Sequence, residues 1–239
     1  MFAGPNGSGK STIFNDINLN FDVDLGVYLN ADEIEKEFKT NQKISLSKFK
    51  VSQVEDTLFN DFIKNHTLYK KATTSGYPIN LALVSNSIIS LKGETHSYEA
   101  SIITDFIRSQ LITMGQKITF ETVMSHKSKV EILKRAAAQK YKNYLYFIGT
   151  ENAEINKFRV AERVRNGGHP VSEQKIEERY YRSLKLLREA IKYTHRAFIF
   201  DNSGSKSRFI LDIYKGQIVT YHSEGVPMWI DNYLFESKL

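Results

Sequence analysis

Cysteine is absent from the 239-residue chain. That excludes disulfides, thiolate zinc sites and a cysteine nucleophile, and it suits a reducing compartment. No apolar run approaches the ~20 residues of a membrane-spanning helix. The first residues lack the basic-then-apolar form of a secretory signal. The expectation is therefore a cytoplasmic protein with no membrane partner. Internal repeats and low-complexity tracts are also missing. What remains, 41% apolar and 25% charged residues, is the balance of an ordinary globular chain.

The positive content begins at once. Residues 4–12 read GPNGSGKST, which fits the phosphate-loop pattern G-x-x-x-x-G-K-[ST]. Gly4, Gly7 and Gly9 let the backbone turn tightly and present N–H groups to phosphate oxygens, with Pro5, Asn6, Ser8 and Thr12 completing the cradle. Lys10 supplies a cation for the terminal phosphates, and Ser11 a hydroxyl for Mg²⁺. A helix opening here adds its positive end. ATP and Mg²⁺ are the expected cofactors. Only Met1, Phe2 and Ala3 precede the loop, although such loops follow a full buried strand. Either that strand is very short or a few natural N-terminal residues are missing.

The net charge of +6 is concentrated. Residues 157–196 hold eleven Lys/Arg against five Asp/Glu, an excess equal to that of the whole chain. A nucleic-acid binder spreads such charge along a face with aromatic platforms. A phosphoryl-transfer enzyme gathers it over the phosphates. Nucleic acid is thus not the expected partner.

The pattern predicts an α/β fold: a mainly parallel sheet flanked by helices, of the P-loop NTPase, kinase-like class, in one domain over residues 1–239. Helices are expected over about 10–18, 33–38, 97–114, 128–141, 152–166 and 172–192. Strands are expected at 27–29, 118–122, 143–148 and 197–201. Residues 40–96 are less orderly and read as an inserted segment. Within it, Val51, Val54, Leu58 and Phe62 fall at helical spacing, residues 79–91 look extended, and Lys92-Gly93 turns. Ser128 with Glu131 has the form of a capping box. Residues 205–239 read as a hairpin, turned at Lys215-Gly216, with a tail.

Several side chains follow strand ends, where ligands of such sheets bind. Asp32 can accept a proton from an attacking hydroxyl, or can simply cap the helix after it. Glu121, followed by Thr122, can hold a metal-bound water or a substrate hydroxyl, or be a solvated strand end. Asp201 formally resembles the Mg²⁺-binding Asp of phosphate-loop enzymes. The Asn202-Ser203-Gly204 that follows is turn chemistry, so a turn or a contact to the nucleotide base through Asn202 is favoured. Arg159 and Arg163 share a helix face, and Arg179 and Arg182 open the next helix. The two helices, spanning 151–192 and joined through Gly167-Gly168-His169-Pro170, form a candidate lid whose guanidinium groups spread phosphate charge. The alternative is a solvated basic face paired with Glu162, Glu177 and Glu178. His169 without other ligands is a lid-turn residue rather than a metal ligand. Tyr180, Tyr181 and Tyr193 read as packing residues.

The run AERVRNGGHPV at 161–171, followed by IEERYYRSL at 176–184, resembles the zeta toxin family of phosphate-loop kinases, in particular its stand-alone bacterial branch. Asn30-Ala31-Asp32, FETVMS at 120–125 and Asp201-Asn202-Ser203 fit in the same order. The resemblance covers residues 1–39 and about 97–204. It implies a kinase that uses ATP with Mg²⁺ on a small-molecule hydroxyl, in the best-known members a sugar hydroxyl of UDP-N-acetylglucosamine, and it implies an antitoxin protein as a partner. Carried onto this chain, Lys10 and Ser11 handle phosphate and Mg²⁺, Asp32 is the general base, and Glu121 and Thr122 lie near substrate. Arg163 and Arg179 stabilise charge, with Arg165 and Arg182 behind them. Residues 40–96 are much longer than the family's link. Two other readings stay open: a nucleotide-dependent switch without an acceptor, and a kinase of nucleosides or nucleic-acid ends.

Overall fold

Strand β1, Phe2–Ala3, has only two residues, yet both of its edges are paired. Phe2 is in parallel register with Glu121 of β6 (Ile118–Thr122) on one side and Tyr146 of β7 (Tyr144–Gly149) on the other. Its ring is fully buried, stacked 4.6 Å from Tyr146 and edge-on at 5.3 Å to Phe14. Burying that one side chain contributes about 2 kcal/mol. Pairing on both edges holds this two-residue strand at the centre of the sheet.

The structure, a computed structural model, describes residues 1–92, 97–168 and 170–235. They divide into two compact units, Met1–Val23 with Glu121–Leu239, and Asp24–Phe120. The turn expected at Lys92-Gly93 falls partly outside the described residues, the role of His169 wholly so, and the tail only through residue 235.

In the first unit the strand order is β10-β9-β8-β7-β1-β6. Strand β8 (Arg196–Asp201) runs parallel to β7, while β9 (Arg208–Tyr214) and β10 (Ile218–Tyr221) add antiparallel pairs at one edge. Leu145, Phe147, Ile148, Ala197 and Ile199 are fully buried, as parallel strands covered on both faces require. The flanking helices are α1 (Lys10–Asn20), α6 (Lys127–Ala138), α7 (Ala153–Arg165) and α8 (Glu173–Ile191). Asn152 caps α7, accepting from Ile155 N at 3.1 Å. The β9–β10 turn is the expected Lys215-Gly216, both residues at positive φ.

In the second unit β2 (Val27–Leu29) pairs in parallel with residues 118–120 of β6. Helix α2 (Ala31–Asn41) follows, then an antiparallel sheet of order β3-β5-β4 (Lys43–Ser45, Ser87–Ser90, Leu81–Val84). Helices α3 (Asp56–Asn65), α4 (Thr67–Thr74) and α5 (Ser97–Thr113) complete it. Ile102, Ile103, Phe106, Ile107 and Leu111 of α5 are fully buried, and Phe106 meets Phe59 edge-on at 5.0 Å. Residues 40–92 therefore pack around α5 as part of a common core.

Three local expectations change. The extended stretch 79–91 is a hairpin, because Ser85 and Asn86 both adopt positive φ and fold β4 back on β5. The helical spacing from Val51 is realised only from Asp56, since residues 51–55 are irregular. Helix α6 opens at Lys127, so its cap is His126, whose Nδ1 accepts from Ser128 N at 3.2 Å, and the Ser128/Glu131 box is not formed. Among the described residues no helix is long and apolar enough to cross a membrane.

Candidate phosphate-binding site

Residues 4–9 leave the carboxyl end of β1 and lead directly into α1. At Gly4 (φ 146°) a Cβ would stand 2.1 Å from Ile148 O, and at Gly9 (φ 94°) one would stand 2.3 Å from Asn202 Nδ2. No side chain fits at either position, so the backbone packs where a side chain would otherwise sit. Helix α1 opens on Gly9 without a side-chain cap and with no acidic residue in its first turn. Its first amides and the positive end of its dipole suit an anion.

Lys10 Nζ folds over the loop, donating to Gly4 O at 3.0 Å and Pro5 O at 2.8 Å. Ser11 Oγ donates to Glu121 Oε2 at 2.8 Å, which joins the proposed metal hydroxyl to the carboxylate at the end of β6. Ser11 and Thr12 are exposed, and Glu121 is half-buried. Ser8 Oγ is buried without a hydrogen-bond partner. Thr122 Oγ1 accepts from Met124 N at 3.2 Å and shapes the turn beyond β6.

The loop is braced from two directions. From α7, fully buried Asn156 donates to Asn6 O at 2.6 Å and is itself hydrogen-bonded by Thr150. From the β8–β9 connection, Asn202 Nδ2 donates to Ser8 O at 2.8 Å. Arg159 secures that connection, donating to Asn202 O at 2.7 Å and Gly204 O at 3.0 Å. Sequence reasoning found Asn202 but not the bracing by Asn156 and Arg159. An Asn in the first turn of a helix after a strand is too common a pattern to single out.

The arginines separate. Arg179 Nη1 reaches Asn6 Oδ1 at 3.5 Å, so α8 brings a guanidinium to the loop. Arg163 and Arg165 lie in the last turn of α7, with Arg163 against Gly168. That places them roughly 10 and 14 Å along the helix from Asn156 at 1.5 Å per residue. Arg165 pairs with Glu162 and Arg182 with Glu178, both largely exposed, so for these two the solvated-face alternative describes the structure. Lys157 ties α7 to α8, bonded to Glu154 and Glu177 at 2.7 Å each, and these carboxylates hold its pKa above the usual lysine range.

Asp201 is 4% exposed and accepts from Ser203 Oγ (2.7 Å), Trp229 Nε1 (3.0 Å) and Arg208 (3.3 Å). That is the turn role favoured from the sequence. Tyr180 is a packing residue, as expected. Its hydroxyl donates to Thr150 O at 2.7 Å, and burial pushes its pKa well above the usual range. Tyr181, by contrast, is 45% exposed. In the second unit, Asp32 is exposed in the first turn of α2, and the helix cap is Asn30, whose Oδ1 accepts from Asp32 N at 2.9 Å. The Asp32 carboxylate is therefore not spent on capping. Among the described residues no cluster of three or more His, Asp or Glu is arranged to hold a metal unaided.

A glycine loop at the carboxyl end of a central parallel strand, running into a helix that begins Lys-Ser, defines the P-loop kinase-like α/β class. No protein-family model matches the chain, and no curated protein matches it. Its structure is similar to a solved structure from the PezAT chromosomal toxin-antitoxin system of the human pathogen Streptococcus pneumoniae. The likeness has a TM-score of 0.50 at 11% identity and covers 98% of this chain and 77% of that one. At such identity it is a likeness of fold, and it agrees with the fold that the zeta-toxin-like motifs imply.

Proposed function

We propose that the protein is a kinase that moves the γ-phosphoryl group of ATP to a hydroxyl of a small molecule, with a nucleotide-sugar such as UDP-N-acetylglucosamine as the leading acceptor. The observation that carries this reading is the cradle of residues 4–11: two glycines that tolerate no Cβ, a lysine laid over the loop, and a serine hydroxyl bonded to Glu121. A triphosphate fits that chemistry, since uncapped amides, an ammonium and a helix N-terminus all favour polyanions.

In this reading Lys10 and the loop amides bind the β- and γ-phosphates. Ser11, with Glu121 beside it, would hold Mg²⁺. Bound Mg²⁺ supplies charge neutralisation on the phosphate oxygens. Asn202 contacts the nucleotide from the β8–β9 side. Arg179 stabilises charge on the transferring group, with Arg163 completing a lid. Asp32 accepts the proton of the acceptor hydroxyl as that oxygen bonds to phosphorus and the bridging β–γ oxygen departs with ADP. The chain needs no covalent intermediate, so positioning and electrostatics supply most of the rate. We also assign it to the cytoplasm, where ATP is available, with an antitoxin protein as its partner.

The test is incubation with γ-labelled ATP and Mg²⁺ against nucleotide-sugars, nucleosides and oligonucleotides. Label in a nucleotide-sugar is expected. Label released only as inorganic phosphate, whatever the acceptor, would overturn the transferase reading. Label in oligonucleotides would move the acceptor to nucleic-acid ends.

A further inference from the structure

The chain has one tryptophan, and it lies at residue 229, far along the sequence from the phosphate loop. It is 2% exposed. Its indole ring covers Gly149 at the carboxyl end of β7, where a Cβ would stand 2.5 Å from the ring. Its Nε1–H donates to Asp201 Oδ1 at 3.0 Å. The same oxygen accepts from Ser203 Oγ at 2.7 Å, and Ser203 Oγ in turn accepts from Glu151 N at 2.8 Å. Between Asp201 and Ser203 sits Asn202. Its backbone N donates to Gly149 O at 2.9 Å, and its side chain holds Ser8 O.

These contacts form one continuous path: Trp229 to Asp201, through the backbone to Asn202, and on to the phosphate loop at Ser8. Every link lies within the first unit. Asp201 is a buried carboxylate held by its donors, and removing one of them leaves it under-satisfied at a cost that favours rearrangement. A shift of Asp201 displaces Asn202, which is the next residue of the chain. Asn202 Nδ2 is hydrogen-bonded to Ser8 O at 2.8 Å, so a displacement is passed to the loop backbone through that bond.

We propose that Trp229 is a positioning residue for nucleotide binding, acting through Asp201 and Asn202 on the phosphate loop. The proposal rests on the kinase reading above, in that it requires the loop to bind a nucleotide. Residues 227–235 thereby act as a strap that fixes the loop for its ligand.

The experiment is titration with a fluorescent ATP analogue and Mg²⁺ of wild type, W229F, N202A and the double variant, with Tm measured alongside. Phenylalanine removes the donor and also withdraws the outer indole ring from Gly149, so Tm is read beside affinity. W229F is expected to weaken analogue binding by about fivefold to tenfold, the scale of one typical intramolecular hydrogen bond. In the N202A background the same change is expected to have an effect under about twofold, because the path is already cut. A purely structural tryptophan predicts equal losses in both backgrounds, and that additivity overturns the proposal, as does unchanged affinity in W229F. Should W229F fail to fold, S203A removes the hydroxyl shared by Asp201 and Glu151 N and is read by the same cycle. Wild-type protein that binds no analogue sinks the kinase reading itself. Wild-type binding with an indifferent W229F sinks the strap alone.

Discussion

Ser11 Oγ lies 2.8 Å from Glu121 Oε2, linking the first turn of α1 to the end of the neighbouring strand β6. The register of β1 on β6 creates this pair by placing Phe2 opposite Glu121. On the proposed reading, this hydroxyl and carboxylate act together on one Mg²⁺. Glu121→Ala is expected to lower Mg²⁺ affinity by about tenfold to a hundredfold, in line with the loss of an outer-shell partner. Mg²⁺ titration of ATP turnover reads this directly, and an unchanged half-saturation would remove Glu121 from the metal site.

Lys10 is bonded to Gly4 O and Pro5 O, so its ammonium already sits over the loop. Lys10→Ala is expected to lose nucleotide affinity and turnover together. Calorimetric titration with ATP checks the first, and labelled transfer the second. Full affinity in this variant would contradict the loop's role.

Asp32 is exposed, and capping by Asn30 leaves its carboxylate available. Asp32→Asn is expected to keep ATP binding and to lose transfer by ~10²-fold or more, the usual scale for removing a general base. Full transfer activity in this variant would falsify the base assignment.

The two arginine positions are expected to differ. Arg179 reaches Asn6 of the loop, whereas Arg165 is an exposed partner of Glu162. Arg179→Ala should lower kcat by about 10²-fold. Arg165→Ala should have a much smaller effect, since exposed pairs contribute under ~1 kcal/mol. Equal losses would show that both guanidinium groups act on the nucleotide.

Acid stability has a specific locus. Asp212 is 1% exposed and accepts from Arg196 Nε (2.8 Å) and Nη2 (3.1 Å) and from His222 Nε2 (2.7 Å). The Arg196 guanidinium holds this carboxyl below its usual range, with His222 adding to the effect. A depressed folded-state pKa stabilises above the unfolded value of about 4, and that contribution is lost as pH falls through the folded value. Melting curves against pH should therefore fall more steeply below about pH 4 for wild type than for Asp212→Asn. Parallel curves would locate the acid sensitivity elsewhere.

Much of the scaffold was legible because its signals are local. The phosphate loop, the Asn152 cap, the strand at 118–122 and the Lys215-Gly216 turn each depend on a few adjacent residues, and each stands where the pattern puts it. The errors are local as well. At α6 two capping solutions competed within three residues, and the His126 ring won over the Ser128 hydroxyl. At Ser85-Asn86 two non-glycine residues took the positive φ that makes a hairpin, and composition gives little warning of that.

The sequence alone determined the chemistry available to this protein: a polyanion cradle, a mobile ammonium, a serine hydroxyl, an uncommitted aspartate and a set of arginines. Tertiary structure alone decided which of these meet. Strand register set Glu121 against Ser11, helix phase and length carried Arg179 to the loop and left Arg165 with Glu162, and packing of the helical turn at Met228–Ile230 delivered Trp229 to Asp201. The physical reason is range. Backbone propensity acts over a turn or two, whereas contacts between residues 28 to 194 positions apart exist only once a buried core fixes the elements that carry them.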